Sequence, residues 1–366
     1  MKKAFLVWFA CISALALEPC RIEITEKQSG WPVPLVELRT THHVRFISDN
    51  NGVIAMDAPE LMGREVWFDV VSPGYEVAKD GFGLRGVRLT CEPDKTLKIE
   101  VNRTSVAKRL GRVTGAGIYS ESQKLGRELD WKESGVFGQD SVQNAILGEK
   151  MFWVWGDTTM PNYPLGIFDG TGATTEITPL PSFEPPLKLP LKYFLNDREQ
   201  PRGVAPMGGE GPTWITGFVG LLDKDGKERV VASYMKIKPP LEVYRWGLCV
   251  WNSQSEKFES LRVVWDKSQG AAKPSLIPEG HPAFWVDASG KRWLLFGNPL
   301  PKLKCPATFE AWQDSATWEE LKPQETLKSI EGANVKLHSG SIAWNQFRKR
   351  WVTVFMEHFG KPSVFG

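Results

Sequence analysis

The chain has 366 residues, of which 42% are hydrophobic and 24% are charged, so it is long enough for two domains and has the composition of a globular protein rather than a disordered one. Its formal net charge is only +2 and no basic stripe is present, which argues against nucleic acid as a partner. The 16 Trp, 34 Gly and 26 Pro favour an all-β protein of short strands and turns, with most of the Trp filling the core.

The N-terminal residues 1–16 are predicted to be a secretory signal peptide. Lys2 and Lys3 precede an apolar stretch at residues 4–15 that is too short to span a bilayer, and Ala14-Leu-Ala16 has the form of a cleavage site. No later stretch approaches membrane-spanning length. We therefore expect an exported protein, periplasmic or extracellular, without membrane association after signal cleavage.

Residues 20–102 are predicted to form a β-sandwich of about seven strands. Arg21-Ile-Glu-Ile-Thr25 alternates between polar and apolar residues, and Ser48-Asp-Asn-Asn-Gly52 is a turn signal because Asn and Gly tolerate positive φ. Further strands follow at short, regular spacing, which is typical of sandwiches. Residues 103–134 are basic at first and then of mixed charge, and we interpret them as a linker.

The sandwich segment resembles the carboxypeptidase regulatory-like, transthyretin-like domain. The shared pattern is Ser29-Gly30-x-Pro32-Val33-x-x-Val36, then the turn from Asp49 to Gly52, then a strand that leads to Gly74-Tyr75. The resemblance implies a stalk or accessory module without catalytic residues.

Residues 135–366 contain a loose internal repeat, which is the sequence signature of a propeller or solenoid. Each copy opens with a polar residue, followed by a short strand, a turn and an aromatic-rich strand such as Lys150-Met-Phe-Trp-Val-Trp-Gly-Asp157. Four antiparallel strands in one unit form a propeller blade. The copies open at the following residues: Asp140, Glu210, His281 and His338.

The predicted fold is therefore all-β, an N-terminal β-sandwich followed by a β-propeller. A Pro-rich insert at residues 179–206 separates the first two copies, and we expect it to be a long surface loop. The fourth copy begins close to Gly366, so the periodicity predicts a propeller that is truncated at its C-terminus.

Four cysteines follow the signal segment, and an oxidising compartment permits disulfides between them. A bond between Cys20 and Cys91 would join the first and last strands of the sandwich. Cys249 and Cys305 could meet only if neighbouring blades bring them together, and buried free thiols are the alternative for this pair. The spacing leaves the connectivity open.

The innermost strand of each blade lines the channel of a propeller, so the four residues that open the copies are expected to point into one funnel. Two carboxylates with room between them suit glycosidic cleavage, because one can protonate the leaving group while the other acts as base or nucleophile. Asp140 and Glu210 are the first candidates, and Asp157 is a third that we interpret as a neighbour or support of Asp140.

The repeat region resembles the five-bladed propellers of glycoside hydrolases and their uncharacterised Gly-Asp-Thr relatives. The resemblance depends on Trp155-Gly-Asp157-Thr158 and on Ile342-Ala-Trp-Asn345 before Arg350-Trp-Val. It implies a triad of Asp, Asp and Glu at successive blade heads, where this chain has Asp140, Glu210 and His281. The leading hypothesis is a secreted carbohydrate-active protein that hydrolyses a polysaccharide or oligosaccharide.

Other residues could contact the substrate or an ion. Trp214 could stack on a sugar, Arg202 and Arg245 could pair with a carboxylate or sulfate, and Glu357 is a further candidate. A bound metal ion in the channel is an open possibility, because His281 and His338 with Asp140 could form a mixed nitrogen and oxygen site. Two alternatives to hydrolysis stay open: a non-catalytic glycan- or surface-binding protein, and a polysaccharide lyase with His281 or His338 as the base.

Overall fold

The computed structural model describes residues 18–114, 120–128, 135–177, 184–186, 189–324 and 326–358. The predicted signal peptide, residues 1–16, lies outside the described residues. The chain divides into two units, the first comprising Met1–Gly111, Tyr119–Asp130 and Glu184–Leu187, and the second Arg112–Ile118, Trp131–Phe183 and Lys188–Gly366. The regular secondary structure of both units is almost entirely β-strand.

The first unit is a sandwich of two four-stranded sheets. Its strands are β1 (Cys20–Glu26), β2 (Glu37–Thr40), β3 (Arg45–Ile47), β4 (Val53–Met56), β5 (Glu65–Val71), β6 (Tyr75–Glu76), β7 (Gly86–Thr90) and β8 (Thr96–Arg103). One sheet has the order β4-β1-β8-β6 and the other β3-β2-β5-β7, and β1 pairs parallel with β8. Residues of β1 alternate between buried and partly buried, so one face of the strand supplies Ile22 and Ile24 to a core shared with Leu38 and Phe68 of the other sheet.

A short helix, α1 (Glu121–Lys124), packs against β4 of the same unit. The carboxylate of Glu121 accepts a hydrogen bond from the backbone N–H of Ala55 at 3.0 Å, and the carboxylate of Asp49 accepts one from the N–H of Ser122 at 2.7 Å. Burial raises the pKa of Glu121. Residues 120–128, which the sequence suggested as linker, are therefore an integral part of the sandwich unit.

The four cysteines are buried free thiols, so the expected Cys20–Cys91 disulfide is not formed in the structure. The side chains of Cys20 and Cys91 do hydrogen-bond to each other, and burial together with this neighbour raises the pKa of Cys91 to about 12. Cys249 and Cys305 lie in separate core clusters, as buried thiols that pack like small apolar side chains.

The second unit is propeller-like, with successive antiparallel sheets that we call the first to fourth blades. Its strands and its α-helix are, in chain order, β9 (Gly138–Gln139), β10 (Gln143–Leu147), β11 (Lys150–Val154), β12 (Thr158–Met160), β13 (Tyr163–Ile167), β14 (Gly172–Glu176), β15 (Lys192–Tyr193), β16 (Thr213–Leu222), β17 (Glu228–Lys238), β18 (Glu242–Asn252), β19 (Lys257–Asp266), β20 (Ala283–Val286), β21 (Arg292–Gly297), β22 (Pro301–Pro306), α2 (Phe309–Gln313), β23 (Glu319–Glu320), β24 (Thr326–Lys328), β25 (Asn334–Asn345) and β26 (Arg350–Glu357).

The blades follow the predicted repeats. The first has the strand order β10-β11-β14-β15, the second β16-β17-β18-β19, the third β20-β21-β22-β23, and the fourth β24-β25-β26. A small sheet of β13-β12-β9 accompanies the first blade. In the described part of the chain, no helix is long and apolar enough to cross a membrane.

Neighbouring blades contact each other through their first strands. The side chain of Gln143 in β10 accepts a hydrogen bond from the N–H of Phe218 in β16 at 3.0 Å. Thr216 of β16 accepts one through Oγ1 from the N–H of Gly280, immediately before β20, at 2.7 Å. These links place the starting ends of β10, β16 and β20 at one end of the unit.

The core between the first two blades is aromatic. Phe152 of β11 is fully buried, and its ring centroid lies 4.6 Å from that of Trp251, 5.2 Å from Phe218, 5.3 Å from Phe194 and 6.1 Å from Phe258. Large aromatic side chains dominate such cores because each removes a large apolar area from water.

The Pro-rich insert is only partly the surface loop that we expected. It contains β15, which completes the first blade, and Val204 and Ala205 are buried in the core between blades. The N–H of Val204 donates to Gly170 O at 2.9 Å, and its carbonyl accepts from Phe258 N at 2.7 Å. The prolines therefore indicated a surface loop where Val204 and Ala205 in fact belong to the core.

The hairpin of the third blade contains an aromatic ring between two ammonium groups. The Nζ atoms of Lys291 and Lys304 lie 3.9 and 4.1 Å from the ring centroid of Trp293. The carboxylate of Asp287 accepts hydrogen bonds from Ser289 and from the indole N–H of Trp293, which lower the pKa of Asp287 to about 2. These contacts favour the ionised carboxylate in the folded hairpin.

Candidate functional site

Asp140 and Asp157 lie next to each other at the starting end of the first blade. Asp140 lies between β9 and β10, and its backbone N–H donates to the carbonyl of Asp157 at 3.0 Å. The N–H of Gly156 donates in return to the carbonyl of Asp140 at 2.8 Å. These two backbone hydrogen bonds hold Asp140 beside Gly156 and Asp157, and the charge of Asp140 acts on the carboxyl group of Asp157.

The backbone beside Asp140 is strained. Ser141 has a φ of +51°, in the left-handed region that a residue with a side chain rarely adopts. Its hydroxyl donates to Oδ1 of Asp140 at 2.8 Å. The exposed carboxylate of Asp140 thus accepts a hydrogen bond from the residue that follows it.

Asp157 has the opposite environment. Its Oδ1 atom is buried and has no hydrogen-bond partner within the described residues. Burial and the neighbouring charge of Asp140 both raise the pKa of Asp157. A carboxyl group in such surroundings keeps its proton to higher pH than an exposed one, which is what a proton donor needs.

Residues 168–171 connect this pair to the head of the second blade. The carboxylate of Asp169 accepts a hydrogen bond from the N–H of Thr213 at 2.8 Å, and the indole N–H of Trp214 donates to the carbonyl of Phe168 at 3.0 Å. Trp155, beside Asp157, donates through its backbone to Thr171 O at 3.0 Å. Asp169 and the partly exposed Trp214 therefore lie at the same end of the unit as the acidic pair.

Glu210 lies in a glycine-rich turn before β16, residues 208–211, which we call the glycine loop. Gly209 and Gly211 have φ values of +110° and +72°, and a Cβ atom on Gly209 would come within 2.6 Å of the Tyr244 hydroxyl. Only glycine fits these positions without strain. The Glu210 side chain is exposed.

Three side chains from β17 and β18 bind carbonyls of the glycine loop. Arg245 donates to Gly208 O at 2.8 Å, and the hydroxyl of Tyr244 donates to Glu210 O at 2.7 Å. The ammonium group of Lys236 donates to the carbonyl of Gly211. The backbone of the loop is thus held by hydrogen bonds from β17 and β18, while the side chain of Glu210 faces solvent.

Lys236 and Arg245 belong to a polar row that crosses the second blade. The strand register places Thr213 opposite Lys236, Lys236 opposite Arg245, and Arg245 opposite Asp266. Lys236 also donates to Thr213 Oγ1 at 3.3 Å, and Arg245 Nε donates to Asp266 Oδ2 at 2.7 Å. Hydrogen bonds from Ser268 and from Arg245 lower the pKa of Asp266 to about 2.

The two arginines predicted to bind an anionic substrate are used within the protein. Arg245 binds Asp266 and the glycine loop, as described above. Arg202 donates to the carbonyl of Leu195 at 3.1 Å and to that of Glu256 at 2.9 Å. Both guanidinium groups therefore hold the backbone in place, and their pairing with a substrate carboxylate or sulfate stays a prediction.

The expected metal site is not assembled. Within the described residues, no group of three or more His, Cys, Asp or Glu side chains is placed to hold a metal ion, so His281, His338 and Asp140 do not form one. The ring of His338 is exposed and lies 5.4 Å from the ring of His358. Burial lowers the pKa of His281, which precedes β20. Glu357 is exposed at the end of β26.

Sequence reasoning missed Lys236 and Asp169. Lys236 interrupts an otherwise buried strand, where a charged residue is rare unless it has a partner, and that was the available signal. Asp169 lay in a turn of ordinary composition and offered no signal.

No protein-family model and no curated protein matches the chain. Two solved structures share a low similarity with it. An exo-β-1,3-galactanase from Phanerochaete chrysosporium, solved with β-1,3-galactotriose, is 10% identical at a TM-score of 0.32, with 61% of this chain and 45% of that chain covered. This chain thus spans less than half the length of the galactanase.

The second structure is a family 117 glycoside hydrolase from the marine bacterium Zobellia galactanivorans. It is 9% identical at a TM-score of 0.29, with 93% of this chain and 89% of that chain covered. Both likenesses are too weak to assign a residue role or an activity.

Proposed function

We propose that the propeller-like unit hydrolyses a glycosidic bond in a polysaccharide or oligosaccharide, with Asp157 as the proton donor and Asp140 as its ionised partner. The observation that carries the proposal is the unpartnered, buried Oδ1 of Asp157 beside the carboxylate of Asp140. The reaction requires one carboxyl group that keeps its proton, which the surroundings of Asp157 favour, and a second carboxyl group that acts as base or nucleophile.

In the proposed reaction, Asp157 protonates the glycosidic oxygen as the bond to the anomeric carbon breaks. Asp140 assists on the other side of that carbon, either by removing a proton from the attacking water or by attacking the carbon itself. The exposed part of the Trp214 ring offers an apolar face for a sugar, and its N–H is already bound to Phe168 O.

The test compares Asp157→Asn and Asp140→Asn with Asp225→Asn, an exposed carboxylate in the turn between β16 and β17. The assay is release of reducing ends from a panel of neutral and acidic polysaccharides that includes β-1,3-galactan. Loss of general acid or base catalysis costs about 10²- to 10⁴-fold in rate. We expect that loss in the first two variants and wild-type rates in the third; wild-type rates in all three would remove this pair from the mechanism.

The pH dependence follows from the direction of the pKa shift. A proton donor must be protonated, so kcat/KM falls as pH rises through the raised pKa of Asp157. A profile that rises steadily from pH 4 to pH 8 would contradict the assignment of Asp157 as the acid.

Glycan binding without turnover is the second candidate function, and the partly exposed Trp214 beside Asp169 favours it. It predicts saturable binding of a polysaccharide, no release of reducing ends, and loss of binding in Trp214→Ala. Ultraviolet absorbance of an unsaturated product would identify the lyase alternative instead.

We also propose that the protein is exported, because residues 1–16 have the charge, apolar core and cleavage pattern of a signal peptide. N-terminal sequencing of the mature protein from the expressing cells is the test. A mature chain that begins after Ala16 agrees with export, and one that keeps Lys2 and Lys3 refutes it.

A further inference from the structure

The most highly constrained segment at the candidate site is the glycine loop. Without external contacts, a turn that contains three glycines has many accessible backbone conformations, so ordering it costs conformational entropy. Yet three of its four carbonyls accept hydrogen bonds from Arg245, Tyr244 and Lys236. The loop therefore has one backbone arrangement that depends on side chains from elsewhere in the blade.

Lys236 is the least expected of the three donors. Its side chain is 2% exposed, and burial lowers its pKa while the carboxylate of Asp169 opposes that effect. Burying an ammonium group is costly unless its donors are satisfied. Lys236 satisfies them with the carbonyl of Gly211 and with Thr213 Oγ1, both at the junction of the loop and β16.

Lys236 cannot serve as a ligand for substrate in this position. Its ammonium group is enclosed and already bound, whereas the Glu210 carboxylate is exposed and its carbonyl is held by Tyr244. The carboxylate of Glu210 therefore faces solvent, whereas the groups that fix the backbone of the loop are side chains of β17 and β18.

We infer that Lys236 is a positioning residue which, together with Tyr244 and Arg245, holds the glycine loop in the conformation that presents Glu210 to the bound glycan. The inference rests on the proposed function for the identity of the ligand, but the holding of the loop is independent of any substrate. Lys236 acts through Glu210 and does not touch the reacting atoms.

The first measurement is hydrogen exchange of residues 207–214 in the full chain without substrate. Lys236→Met removes the ammonium group, and Lys257→Met is the matched control, since Lys257 lies at the start of β19 in the same blade and is exposed. We expect exchange in this segment to become at least tenfold faster in Lys236→Met and to stay at the wild-type rate in Lys257→Met.

Tyr244→Phe provides a milder second variant if Lys236→Met fails to fold. It removes one hydroxyl group and with it the bond to Glu210 O, while the ring keeps its packing. Faster exchange confined to residues 207–214 supports the inference. Unchanged exchange in the folded variants overturns it, whatever the protein is found to catalyse.

The second measurement uses the polysaccharide that the wild-type protein cleaves. Misplacing a substrate-contacting group by about 1 Å can cost about 10²-fold, so we expect Lys236→Met to lose about that factor in kcat/KM. If Lys236 acts through Glu210, the loss shrinks to less than threefold when Glu210 is already Ala. Equal losses in both backgrounds would show that Lys236 does not act through Glu210 and would overturn the inference.

The two measurements separate this inference from the proposed function. A wild-type protein that cleaves nothing in the panel refutes the proposed hydrolysis, and the exchange measurement still decides whether Lys236 holds the loop. If the wild-type protein hydrolyses a glycan but hydrogen exchange of residues 207–214 is unchanged in Lys236→Met, the proposed function stands and the inference is refuted.

Discussion

Replacing Phe152 with Ala tests the packing on which the site depends. Phe152 of β11 is fully buried, and its ring contacts Phe194 of the first blade and three aromatic rings of the second blade. Truncating a buried Phe costs about 3–5 kcal/mol, because apolar contacts are lost and a cavity remains. For a unit of this size, a loss of about 4 kcal/mol lowers Tm by about 10 °C.

Differential scanning calorimetry of the full chain measures this shift, and the control is Phe347→Ala. Phe347 lies in the turn between β25 and β26 and is 92% exposed, so the same chemical change there removes almost no buried area. We expect the control to keep the wild-type Tm within about 1 °C. Equal shifts in the two variants would refute the conclusion that Phe152 joins the first two blades.

Three further predictions concern stability. Asp157→Asn raises Tm at pH 7, because the ionised carboxyl is disfavoured in the fold, and the gain vanishes below about pH 4, where Asp157 is protonated in both states. Asp287→Asn lowers Tm at pH 7, and the deficit disappears as pH falls from about 4 through the folded pKa of about 2. Oxidation of Cys20 and Cys91 to a disulfide closes a loop of roughly 70 residues and stabilises the sandwich by about 4 kcal/mol in the chain-entropy model.

Calorimetry over a range of pH checks the two carboxylate variants, which have opposite signs at neutral pH. A lower Tm for Asp157→Asn at pH 7 would contradict the unfavourable environment assigned to that carboxyl. For the cysteines, mass spectrometry of the unreduced, oxidised protein identifies the bond. Failure of the two adjacent thiols to join under an excess of oxidised glutathione would refute their predicted pairing.

The positions of most strands in the second unit could be predicted from the sequence. The aromatic-rich run before Asp157 and the hairpins after Glu210 and His281 have strong local alternation and turn signals. All of them lie in strands of the blades. Strand formation depends on period and turn chemistry, which neighbouring residues contain. The same local signals were only partly right for the Pro-rich insert at residues 179–206, where prolines indicated a surface loop but buried Val204 and Ala205 complete a core.

The arrangement of the site required the tertiary structure. The sequence alone suggested that Asp157 supports Asp140, and a backbone hydrogen bond from the N–H of Asp140 to the carbonyl of Asp157 places the two residues side by side. The backbone carbonyls that Arg202 and Arg245 bind could not be predicted, because every residue has a carbonyl group and no sequence pattern distinguishes them. Their expected contact with a substrate stays a prediction.

Lys236 shows most clearly why the contacts of the site could not be predicted from the sequence. Its strand could be predicted from its apolar neighbours, but its contacts with the glycine loop join residues about 25 positions apart through the register of β16 and β17. Local sequence thus determined which segments are strands and turns. Only the packing of those strands decided which polar groups are buried, which carboxyl lacks a partner, and which acidic side chain faces solvent.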